Sequence, residues 1–174
     1  MTLPFNRSET LTVVVGAHDL RKSKNSDHIG VKSYIPHPSY MVHFHWNDIM
    51  LLRLQEKVNV NNYVEWISLP KNGDHVEANT LCSVAGWGRL KTEGPLSDRL
   101  MEANVHVMNK IECYKRWREM FSVTQMMCTR GHGGSCRFQL IQYDLLCNSP
   151  EKPNVYIKIS PYILWINGII RNVK

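Results

Sequence analysis

Trp46-Asn47-Asp48-Ile49-Met50-Leu51-Leu52-Arg53-Leu54 sets two turn-forming residues against an almost uninterrupted apolar run. Asn and Asp tolerate tight turns, and a short apolar run after them predicts a strand over 49–54. On the residues alone, Asp48 is a carboxylate at a turn or a strand entry. Working outward, the same grammar recurs. Leu11-Thr12-Val13-Val14-Val15 is β-branched and stops at Gly16, and Val31 to Ile35 runs into Pro36-His37-Pro38. Leu81-Cys82-Ser83-Val84-Ala85-Gly86-Trp87-Gly88 is a further strand whose glycines mark a bend or a close backbone approach. Arg99 to Val107 is a less regular one. Short strands between turn signals predict a mostly β architecture.

Two helices interrupt this pattern. Asn109 is a good N-cap for a helix over Lys110 to Met120. Pro161 stands near the start of a helix reaching Arg171, with Ile163, Ile166 and Ile170 on one stripe. Pro70-Lys71-Asn72-Gly73-Asp74 reads as a surface turn, and Met126-Met127 as core or turn filler.

The chain has 174 residues, 43% of them hydrophobic, enough to bury one good core. Lys and Arg outnumber Asp and Glu by 21 to 15, a net charge of +6. That balance allows a sulfated glycosaminoglycan as partner. Nucleic acid is not expected, because the basic residues form no long run and accompany no nucleic-acid motif. No stretch approaches transmembrane length, and Met1 to Ser8 lack the apolar run of a signal peptide. Asn6-Arg7-Ser8 makes Asn6 a glycosylation candidate, and five Cys, an odd number, leave one free thiol or one lost partner. His43-Phe44-His45 could place two imidazoles on one side of an extended segment as a metal pair, but no third ligand lies at a telling spacing, and the segment reads as a surface loop. Neither a metal nor a cofactor is expected.

In order along the chain, Asn47-Asp48-Ile49-Met50-Leu51-Leu52, Ile67-Ser68-Leu69-Pro70, Cys82-Ser83-Val84-Ala85-Gly86-Trp87-Gly88 and Pro153-Asn154-Val155-Tyr156 resemble the trypsin/chymotrypsin-like serine proteases. Val15-Gly16-Ala17-His18-Asp19 and Tyr34-Ile35-Pro36-His37-Pro38 resemble the granzyme and mast-cell protease group. The likeness runs from about Thr10 to the C-terminus, one interval excepted. It implies a double six-stranded antiparallel β-barrel with a C-terminal α-helix, here incomplete. One peptidase-like domain is expected over 1–174: about 1–80 from the N-terminal barrel, and about 81–174 a shortened C-terminal barrel and its helix. The resemblance also implies peptide substrates for a complete relative, and an extracellular or granule location.

The family's chemistry uses a Ser nucleophile, a His base and a buried Asp that orients the imidazole. By resemblance Asp48 matches the Asp. The base belongs in a Thr-Ala-Ala-His-Cys motif upstream, which this sequence does not contain; His18, His28 and His37 all lie downstream of that place. The nucleophile belongs in Gly-Asp-Ser-Gly-Gly-Pro, shortly after a Cys, beside the backbone donors of an oxyanion hole. Here Cys136 is followed by ten residues, without Ser or Gly, and then Cys147. Ser135 precedes the Cys and, with Gly134 and Asn154, matches remnants of the specificity pocket. Gly134 stands where tryptic members carry Asp, so the pocket is not one for Lys or Arg.

The resemblance also orders the cysteines. Cys113 and Cys128 match one family disulfide, and Cys136 and Cys147 match the ends of another around a shortened segment. Cys82 is left unpaired. An inactive serine-protease relative is therefore expected, with two alternatives: a non-catalytic binder of glycosaminoglycan or protein, or a truncated splice or gene-model product without its own function. Missing pieces would leave apolar faces and strand edges open.

Overall fold

The computed structural model describes residues 11–90, 94–131 and 152–172. Among the described residues, seven strands form two antiparallel sheets. The first holds β1 (Thr12–Val15), β2 (Asp27–Pro36) and β3 (Met50–Leu54) in the order β1-β2-β3. The second holds β4 (Leu81–Gly86), β5 (Met101–Val107), β6 (Met126–Arg130) and β7 (Asn154–Ile157) as β4-β5-β6-β7. Helices α1 (Lys110–Trp117) and α2 (Ile163–Asn172) complete the described chain.

Alternation decides what each strand buries. Ile29 and Val31 on β2, and Val105 and Val107 on β5, point to one side at a period of two and are buried. The β1 run ends at Gly16, whose φ of +74° is open to glycine, and a Cβ there would meet Val64 Cγ2 at 3.2 Å. Asn109 caps α1 by accepting the Ile111 N–H at 2.8 Å. Lys115 and Arg116 occupy the last turn, where cations complement the helix dipole. The expected helix to Met120 stops at Trp117. Arg118 adopts a φ of +55°, and 118–120 continue as one 3₁₀ turn.

Two clusters form the core. Met108, Cys113, Trp117, Phe121, Met126 and Cys128 make the first, with Trp46 reaching in from the first half of the chain. Tyr162, Ile163 and Ile166 make the second, against Ile49 and Leu51, and Ile157 packs on both clusters. The expected Ile stripe of the C-terminal helix holds only in part: Ile163 and Ile166 are buried, while Ile170 is 58% exposed because the cluster ends one turn earlier. Of the two readings of Met126, core or turn, the core one holds. The residue lies in β6 and is buried, a strand whose irregular polar and apolar order gave no periodic signal.

Backbone bonds tie the two halves together. Leu100 N–H donates to His18 O at 2.7 Å, and Leu20 N–H to Asp98 O at 2.8 Å. The Trp87 indole adds a bond to His18 O at 3.1 Å.

Candidate functional site

The site is built on the segment from His37 to Asp48, which leaves β2 and returns as β3. It is held by its own backbone: His37 N–H donates to Ile49 O and Met41 N–H to Trp46 O, each at 3.0 Å. Residues 42–45 form a turn, which agrees with the loop reading of His43 and His45 and not with an extended pair. Asn47 is the pivot. Its φ is +56°, a conformation Asn accepts more readily than most residues, and Ile49 N–H closes onto Asn47 O at 2.8 Å. Asp48 sits at the tip of that tight turn.

Neighbouring elements grip Asn47 from three sides. Its amide Nδ2–H donates to Ser39 O at 2.8 Å, its backbone N–H to Gln125 Oε1 at 3.0 Å, and its Oδ1 accepts the Tyr162 hydroxyl at 3.2 Å. Tyr162 and Trp165 also pack edge-on against the His37 ring, at centroid distances of 5.3 and 4.9 Å. The His37 Nδ1 accepts the Ser39 N–H at 3.2 Å. The 3₁₀ turn leading into α2 and the loop before β6 therefore position the Asp48 turn across long sequence separations. Sequence reading missed Asn47, Gln125 and Tyr162 in this role. Asn47 beside Asp48 was the one available signal, since contacts separated by 78 and 115 residues leave no local periodicity.

Asp48 itself is exposed to solvent. Its charge is felt nearby: burial first, and the Asp48 carboxylate second, push the Tyr40 and Tyr162 phenols above their ordinary pKa. Among the described residues, no imidazole hydrogen-bonds to it. A carboxylate in this setting can orient a base supplied to it, but its exposure weakens the field it would exert on an imidazolium.

The remaining site residues fall as follows. Asn154 opens β7, half-buried, opposite Thr129. Cys113 and Cys128 are joined by a disulfide between α1 and β6, with Cα atoms 6.0 Å apart. Cys82 is a free, half-buried thiol on β4, opposite Val105. Asn6, Gly134, Ser135, Cys136 and Cys147 lie outside the described residues.

The family model described as Trypsin matches residues 5–138. The chain belongs to the trypsin family of serine proteases. Curated trypsin-family relatives agree. Duodenase-1 of Bos taurus is 30% identical, over 95% of this chain and 71% of its own length. Mast cell protease 8 of Mus musculus is 33% identical, over 98% of this chain and 74% of its own. Granzyme-like protein 2 of Rattus norvegicus is also 33% identical, with the same two coverages. Among solved structures, one titled "Structure of GrC" superimposes with a TM-score of 0.78, at 23% identity, over 94% of this chain and 78% of that one. This last likeness supports the fold: two antiparallel β-sheets with a C-terminal helix, of the trypsin-family kind.

Proposed function

We propose that this chain is a serine-type endopeptidase by descent that does not hydrolyse peptide bonds by the triad mechanism. One observation carries the reading. The interval from Cys136 to Cys147, where the family places its nucleophile, contains neither Ser nor Gly. It therefore offers no serine hydroxyl to attack a carbonyl, and no glycine to bring backbone donors close to the oxyanion. Asp48 supports descent from the catalytic aspartate through its place in Asn47-Asp48-Ile49-Met50-Leu51-Leu52, and its exposed carboxylate suits a site released from that duty. By the same descent its location is extracellular or in a secretory granule.

The test is covalent. A fluorophosphonate probe, which labels activated serines, is incubated with the purified chain, alongside a panel of peptidyl thioester substrates. Neither labelling nor turnover above the buffer rate is expected. A phosphonylated serine located by mass spectrometry, with turnover lost on its replacement by Ala, would refute the proposal.

A further inference from the structure

Away from the Asp48 turn, a cavity of about 240 Å³ opens between the 70–76 segment and the ends of β6 and β7. Pro70, Val76, Met127 and Ile159 give it apolar walls, and Asp74, His75 and Lys158 border it. Two of these polar groups are already engaged. Asp74 Oδ2 accepts the Lys71 N–H at 2.7 Å, and the His75 ring meets Glu77 Oε1 at 2.7 Å.

Lys158 is different. It is half-buried as a residue, and its ammonium donates to the Val123 carbonyl at 2.9 Å, which uses one of its three N–H donors. Among the described residues no carboxylate lies within ion-pair distance of it. Burial, and then the like charge of Lys110, push its pKa below the usual lysine value, so the site carries a cation at an electrostatic cost. An anion bound there would relieve that cost. The Asp74 carboxylate borders the same cavity and opposes a dianion more than a monoanion. The volume equals roughly eight waters at about 30 Å³ each, room for one ring or a short chain.

We propose that this cavity binds a small amphiphilic monoanion, an aromatic or short aliphatic carboxylate, with its apolar part on Val76, Met127 and Ile159 and its carboxylate on Lys158. The Asp48 turn does not line this cavity, and the proposal does not rest on the protease reading.

Phenylacetate and its neutral isostere phenylacetamide serve as probes, titrated into the intact chain and followed by NMR shifts of the Val76 and Met127 methyls. A charge-assisted hydrogen bond predicts that the anion binds about tenfold more tightly than the amide. Lys158→Met keeps the apolar stem and is expected to bring the two ligands within about twofold of each other. Val76→Trp, on the surface segment, is expected to abolish binding of both by filling the space, with the circular dichroism of each variant unchanged. Equal affinity of wild type for anion and amide, an anion preference that survives Lys158→Met, or no shift with either probe would each overturn the proposal.

Discussion

Asp19 sits where two arginines converge. Its side chain is 8% exposed, Arg21 donates to both carboxylate oxygens at 3.0–3.1 Å, and Arg99 Nε lies 3.6 Å away. The Arg21 side-chain bonds, opposed by partial desolvation and helped by the Arg21 backbone N–H and the nearby positive charges, lower the Asp19 pKa from 3.8 to about 2. A depressed folded-state pKa contributes stability above the unfolded value, and that contribution disappears as pH falls through the folded value. Asp19→Asn is therefore expected to lower Tm at pH 7, with the difference from wild type closing between pH 3.8 and about 2. Both arginines are well exposed, so added salt should shrink the neutral-pH difference. Thermal unfolding of the two proteins at several pH values checks this; a difference that persists unchanged below pH 2 would contradict it.

At the scale of elements, the Cys113–Cys128 disulfide staples α1 to β6 across a separation of 15 residues. Both sulfurs are buried in the first core cluster beside Trp117 and Phe121. Closing a loop of that length restricts the unfolded chain by about 3 kcal/mol in the loop-entropy account. The double variant Cys113→Ser, Cys128→Ser is expected to lose about that much, and somewhat more because two hydroxyls replace sulfur in an apolar setting. Urea unfolding measures it, and a loss under about 1 kcal/mol would show that the helix is held by packing instead. Some of this scale was legible beforehand. The α1 start could be read from Asn109, since capping is a local hydrogen bond. Its end could not, because the turn at Arg118 follows from seating Trp117, whose indole donates to Pro153 O, 36 residues away.

Across the molecule as described, exposed apolar side chains are spread along the chain, and the 60–69 stretch holds five of them. Trp66 is 67% exposed and Ile67 91%, with Val60, Tyr63 and Leu69 also open to solvent. Apolar exposure of this density is unusual for a monomer and favours association. The folded-domain reading requires the two core clusters to outweigh it. In non-reducing buffer the chain is expected to unfold in one cooperative transition by circular dichroism, with a single reactive thiol mapped to Cys82 by alkylation and mass spectrometry. Five reactive thiols without a transition would leave a chain that does not fold on its own.

The sequence by itself determined the family, the mostly β class and the lack of Ser and Gly between Cys136 and Cys147, because these are carried by ordered local motifs and by residue identity. It also placed the Asp48 turn, through Asn47-Asp48 before an apolar run. Only the tertiary structure decided what holds that turn and how open it is. Gln125 and Tyr162 reach Asn47 from distant segments, Ile170 falls off its own stripe, and Lys158 comes to border an apolar cavity beside the 70–76 segment. Such contacts depend on where whole elements pack, and hydrophobic burial is non-directional. Local pattern therefore encodes which face is buried, but not which distant residue it meets.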